Sequence, residues 1–127
     1  MVTQVTVRRG CIHIVDFDPV RGSEQGKRRP ALVIQNNLGN ESSGTTIVIA
    51  ISSRIPSKRY PMHVPLPPEM LGKPGIIMCE QIRTVSLERV APRLLAELPR
   101  EVMAQVEEAV RHSLGLSEEL SRPVGIV

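Results

Sequence analysis

A chain of 127 residues, 41% hydrophobic and 23% charged, has enough apolar side chain for one core and too little for two. Aromatic residues are limited to Phe17 and Tyr60, with no tryptophan, which excludes nucleic-acid binders that rely on arrays of stacked rings. The net charge of +3 divides unevenly: residues 1–60 carry nine Lys or Arg against four Asp or Glu, and residues 61–127 carry seven against nine, so the first half suits a polyanion.

In chain order, residues 11–17, 31–35, 46–51, 76–79 and 94–98 are short, rich in Ile, Val and Leu, and bounded by Gly, Pro, Asn or Ser, so they read as strands. Residues 36–44 form a polar connector. A further short strand fits residues 62–65, and residues 67–72 fit one helical turn closed by Gly72. One longer helix follows, with Pro99 in its first turn and Gly115 as its C-terminal cap. Val102, Met103, Val106, Val110 and Leu114 give it one apolar stripe, and Glu101, Arg111 and His112 match its dipole. The pattern is mainly β (α+β), a small closed or half-closed barrel with a C-terminal helix. Residues 1–116 form the domain, and residues 117–127 lack periodicity and read as a loose or partner-bound tail.

The loop Gly22-Ser23-Glu24-Gln25-Gly26-Lys27-Arg28-Arg29-Pro30 is the most informative segment. This glycine-punctuated loop carries one carboxylate, one amide and three consecutive cations, at the entrance to a buried strand. Mobile backbone, amide donors and guanidinium groups on the lip of a sheet can cradle a phosphodiester. Cys11 and Cys79 lie far apart inside apolar runs without a CxxC pattern, and read as buried thiols. The polar, basic residues 1–10 do not resemble a secretory leader, and no apolar run is long enough for a bilayer, so a cytoplasmic protein is expected. Three scattered histidines and two distant cysteines form no metal-ligand spacing, and no cofactor fingerprint is present.

Arg9-Gly10, Ile12, Val15-Asp16-Phe17-Asp18-Pro19, Gly22-Ser23-Glu24-Gln25-Gly26, Arg29-Pro30, Leu32-Val33-Ile34-Gln35-Asn36, Ile49-Ala50-Ile51-Ser52, Pro61-Met62-His63-Val64 and Glu80-Gln81-Ile82-Arg83-Thr84 follow one another with the spacing of a known family. Over residues 8–116 the chain resembles the MazF/PemK toxin endoribonucleases. It departs from them at Cys11, where an acidic residue is common, and at His13, where an aromatic is frequent. The resemblance implies an SH3-like β-barrel of the CcdB/PemK type, a homodimer and metal- and cofactor-free cleavage of single-stranded RNA. It also implies inhibition by an acidic MazE-like antitoxin lying across the RNA groove, with DNA reached only through that antitoxin.

The implied catalytic residues are Arg29, Ser52 and Glu24. Arg29 matches the family arginine and would stabilise charge on phosphorus; Ser52 stands where a threonine is common and can donate to a phosphate oxygen, or simply cap a strand end. Glu24 is a candidate general base, or a partner that holds Arg28 or Arg29. Glu80 competes with it, matching a catalytic aspartate of some relatives, although Met78 replaces the arginine that accompanies that aspartate. Ser23, Gln25, Lys27, Arg28, Arg54, Glu80, Gln81 and Arg83 are the expected substrate-binding set, with Ser23 and Gln25 reading bases and Arg54, together with Lys58 and Arg59, binding the backbone. Arg83 serves either in the groove or in an ion pair with Glu80. His63 and His112 read as structural, whereas His13 would titrate near neutrality if it lay beside the loop. Two other readings stand beside the ribonuclease: a CcdB-like gyrase inhibitor on the same barrel, and a catalytically inactive binder of RNA or antitoxin.

Overall fold

The computed structural model describes residues 5–58 and 60–117, so Arg59 and nearly all of the expected tail lie outside the described residues. Its elements are β1 (Cys11–Asp16), β2 (Arg28–Val33), α1 (Asn37–Ser42), β3 (Thr45–Ser52), β4 (His63–Leu66), α2 (Pro68–Leu71), β5 (Gly75–Ser86), a 3-10 turn (Leu87–Arg89), β6 (Ala96–Glu97) and α3 (Arg100–Ser113). The six strands form one antiparallel half-barrel in the order β4-β5-β3-β2-β1-β6.

Alternation along β3 separates two apolar clusters. Ile49 and Ile51 face a cluster completed by Met103, Val106 and Ala109 of α3. Val48 and Ala50 face the other side, where Val7, Phe17, Leu87 and Val90 cover the sheet. Burial on both faces explains why this strand reads as a continuous apolar run instead of an alternating one.

The pairing of β3 with β5 is offset. Ile49 pairs with Ile82, yet Ile51 pairs with Ile77, so Ala50 alone faces the four β5 residues from Met78 to Gln81. The expected strand at 76–79 therefore continues to Ser86. Glu80, Gln81, Arg83 and Thr84 break its apolar run and hid its length.

Several other boundaries move. β2 begins at Arg28 and not at residue 31, so Arg28 and Arg29 belong to the strand and pair with Asp16 and Val15. The polar connector contains α1: Asn36 Oδ1 caps it by accepting from the Gly39 N–H at 2.8 Å. Asn40 is buried there, accepting from Thr46 Oγ1 at 2.7 Å and from Gln35 Nε2 at 3.0 Å. A helix held by amides leaves little apolar signal in the sequence. The strand expected at 94–98 shrinks to two residues, with Leu95 and Leu98 donating to the carbonyls of Ile12 and Gly10.

The turn at α2 ends as expected, with Gly72 at φ 77°. α3 is capped by Pro99, and its buried residues are Met103, Val106 and Ala109. Leu114 belongs to the expected stripe but is 58% exposed, because the helix ends at Ser113 and Gly115 turns the chain at φ 71°.

Both thiols are free and buried. Burial pushes Cys79 from 9.0 up to about 12, with Glu80 adding repulsion; burial and then Glu97 push Cys11 up as well.

Met103→Ala should lower stability by about 2–5 kcal/mol, and Leu114→Ala by no more than about 0.5 kcal/mol, in urea unfolding. A thiol whose folded pKa is raised stabilises the fold fully below its unfolded pKa. The Cys79 contribution should thus be intact below pH 9.0 and be lost as pH rises toward about 12. Ellman's reagent at pH 8 should label neither thiol until denaturant is added; rapid labelling of the folded protein would refute their burial.

Candidate active site

The loop of residues 17–27 is fastened to the sheet at several points. Phe17 N–H donates to the Lys27 carbonyl at 2.9 Å, and Asp18 Oδ1 accepts from Lys27 N–H at 2.8 Å. From β5, Arg83 Nη1 donates to the Phe17 carbonyl at 2.6 Å, and its guanidinium lies 5.8 Å from the Phe17 ring centre. Arg89 Nη1 donates to the Asp16 carbonyl at 3.1 Å and also to that of Asp18. Gln81 Oε1 accepts from Gln25 N–H at 3.2 Å. Gly26 is required by space, since a Cβ would lie 2.7 Å from Asp18 Oδ1 and 2.8 Å from a Val20 methyl. The mobile backbone expected here is instead an anchored loop.

Two of the clefts that border it hold most of the expected site residues. The smaller, about 190 Å³, is lined by Arg28, Arg29, Ser52, Ser53 and Lys73 among others. Ala31 pairs with Ala50, and extending that register by two residues sets Arg29 beside Ser52. Arg29 is half-buried and donates from Nε to the Gly26 carbonyl at 2.8 Å. That bond fixes the guanidinium plane while leaving both Nη groups for a ligand. Ser52, 5% exposed, accepts at Oγ from Arg54 N–H at 3.1 Å, so the strand-end cap is real. Accepting one bond leaves the hydroxyl proton available to donate into the cleft.

The larger cleft, about 690 Å³, is lined by Arg21, Glu24, Gln25, Glu80, Gln81 and Arg83, with Phe17 and Ala50 at its base. Glu24 closes a turn, its Oε1 accepting from Arg21 N–H at 2.5 Å. It does not hold Arg28 or Arg29; the Gly26 carbonyl holds Arg29. Glu80 pairs with His63, Oε2 to Nε2 at 3.2 Å, and not with Arg83, which is drawn to the Phe17 carbonyl.

The expected site residues thus fall into groups. Arg29, Ser52 and Arg28 meet in the smaller cleft, and Glu24, Gln25, Glu80, Gln81 and Arg83 in the larger. Ser23, Lys27 and Arg54 are exposed and line neither. His13 is buried and bonded through Nδ1 to the Ala91 carbonyl at 3.0 Å, so it has a structural role away from both clefts. His112 pairs with Glu108 on α3. Sequence reasoning missed Lys73, a single cation between the glycine-capped turn and β5, and Arg89, whose role depends entirely on tertiary contacts. Among the described residues, no group of three or more His, Cys, Asp or Glu is placed to hold a metal ion, and no helix is long and apolar enough to cross a membrane.

Comparison with known proteins identifies the family and the fold. Residues 8–114 match the model of the PemK-like, MazF-like toxins of type II toxin–antitoxin systems. The chain is 42% identical over 112 residues to endoribonuclease EndoA of Bacillus subtilis, covering 87% of this chain and 96% of that one. It is similar to the crystal structure of MazF from Deinococcus radiodurans, with a TM-score of 0.76, 33% identity, and 87% and 97% of the two chains covered. A MazE–MazF structure from the same organism gives a TM-score of 0.71 at 31% identity, covering 88% of this chain and 98% of that one. An endoribonuclease–antitoxin complex from a mycobacterial species shares the fold, with a TM-score of 0.71 at 19% identity over 87% and 97% of the chains. This chain is a homologue of endoribonucleases and belongs to the PemK-like, MazF-like toxin family of type II toxin–antitoxin systems.

Proposed function

We propose that the protein is a toxin endoribonuclease that cleaves single-stranded RNA at specific sequences without a metal, by attack of the neighbouring 2′-OH on phosphorus. The bond from 2′-O to phosphorus forms and the bond from phosphorus to 5′-O breaks. A 2′,3′-cyclic phosphate and a 5′-OH result, with one proton leaving the 2′-O and one reaching the 5′-O. The observation that carries this reading is the Arg29 guanidinium, locked by the Gly26 carbonyl and sharing a cleft with Ser52. A preoriented cation and hydroxyl supply charge stabilisation where the phosphorane develops. Arginine stays charged at any working pH, so Arg29 acts as an electrostatic clamp and not as the proton donor.

Lys73 and Arg28 add positive charge on the same walls. Glu24, the single carboxylate between Gly22 and Pro30, is assigned as general base, acting on a strand that passes from the larger cleft into the smaller. Glu80 is engaged by His63 and is assigned to substrate binding. Bases would occupy the larger cleft and the scissile phosphate the smaller. The family context supports a cytoplasmic homodimer held inactive by an acidic antitoxin, whose carboxylates would compete for the same cations.

Purified protein should cut a long single-stranded RNA in EDTA and leave 5′-OH ends. Arg29→Ala should fold normally and lose at least about 100-fold in cleavage rate. A folded Arg29→Ala variant that still cuts would remove the assignment, and an inactive parent protein would favour a binding-only or gyrase-directed toxin. Glu24→Gln should reduce the rate by about 10²–10⁴-fold with substrate binding retained. Gly26→Ala should displace Asp18 or Val20, release Arg29 and reduce cleavage severely, with a loss of about 1–3 kcal/mol in urea unfolding that leaves the protein folded.

A further inference from the structure

Gln81 lies in the stretch of β5 that faces Ala50 alone, and its side chain lines the larger cleft. Its orientation is dictated by one contact: Oε1 accepts from the Gln25 backbone N–H at 3.2 Å. A backbone N–H can only donate, so the amide cannot be reversed without placing two donors together. Among the described residues, Nε2 has no hydrogen-bond partner, so its two N–H donors remain for a ligand in the cleft.

We infer that Gln81 determines specificity by selecting a keto base, uracil or guanine, at one position of the RNA, with Nε2 donating to O4 of the uracil or O6 of the guanine. This rests on the ribonuclease reading above. Uracil and cytosine have the same size and differ at this exocyclic atom, an acceptor oxygen in one and a donor amino group in the other. Guanine and adenine differ in the same way. A donor held in place accepts the first member of each pair and meets the second donor to donor. The resulting loss is roughly tenfold or more in cleavage, because a polar group in the cleft is left without a partner. Holding matters as much as donating: a freely turning amide would present oxygen or nitrogen equally and distinguish neither pair.

The competing role is purely mechanical, with Gln81 serving only to clamp the loop at Gln25. Gln81→Glu separates the two roles. A carboxylate oxygen still accepts from the Gln25 N–H, but the Nε2 donor becomes an acceptor. The added charge lowers the rate for every RNA, so the informative readout is the ratio between matched oligonucleotides with U or C, and G or A, at each position of the mapped cut site.

The parent should require a keto base at one position. Gln81→Glu should shift preference at that position alone toward the amino base, by roughly tenfold or more. Gln81→Met, lacking both polar atoms, should lose the distinction there. The inference is overturned if Gln81→Glu cuts with the parent's preference at every position, or if the parent shows no keto requirement. It is equally overturned if both variants fold but cut nothing, which would make Gln81 a clamp. If the parent itself cuts no RNA, the ribonuclease reading fails, and this inference falls with it.

Discussion

The offset between β3 and β5 is the constraint on which the rest of the molecule depends. One residue, Ala50, spans what takes four residues on β5. The offset bends β5 so that its first part pairs with β4 and its last part with the start of β3. The unmatched residues have to project somewhere. Glu80 and Gln81 project into the larger cleft, and Cys79 turns into the core with no exposed surface. A regular ladder would have placed these side chains on strictly alternating faces, and the cleft floor would then lose one of its two polar groups.

From that bend comes the fastening of the β1–β2 loop. Arg83 and Arg89 each reach a backbone carbonyl near the loop's start, and Gln81 reaches an amide near its end. Hydrogen bonds made by charged groups contribute about 1.5–3 kcal/mol each, whereas exposed ion pairs such as Arg111–Glu108 contribute about 0–1 kcal/mol. Arginines aimed at carbonyls therefore hold the loop more firmly than the surface salt bridges hold anything. The consequence for the site is that Arg29 inherits its position from Gly26, and Gly26 from Asp18, which in turn is tied to the Lys27 amide.

Much of this was legible in the residues. The apolar runs at β1, β3 and α3 marked the core because buried Ile, Val and Met leave a periodic signal. The family motif singled out Arg29 and Ser52, which the fold brings into one cleft, and the Glu80–Thr84 segment, most of which lines the other. Other features left little trace. α1 is stabilised by Asn36 and Asn40 through side-chain hydrogen bonds, and a run of Asn, Ser and Gly is equally the composition of an irregular loop. The length of β5 was hidden because its second half faces a cleft and carries polar residues. Of the alternatives open for Glu24 and Arg83, the ion pairs do not form, for a shared reason: charge complementarity suggests carboxylates for arginines, while the fold offers carbonyls, an amide and an imidazole at closer range. Lys73 shows the limit most clearly, since a lone cation acquires meaning only when a strand brings it beside Arg29 and Ser52.

The two borders of the sheet have a bearing on how any protein partner could approach. At one border β6 is only two residues long, and at the other β4 is four residues long with Pro65 in its middle, which has no N–H to offer. Neither border can template an additional strand of useful length. An inhibitor of this molecule is thereby directed away from main-chain pairing and onto side chains. Under the proposed function its affinity would come from the cations and apolar walls of the clefts, so the residues that hold it would be drawn from those proposed to handle the RNA. Escape from inhibition by point substitution would then tend to damage the enzyme itself, which ties the fate of the two activities together.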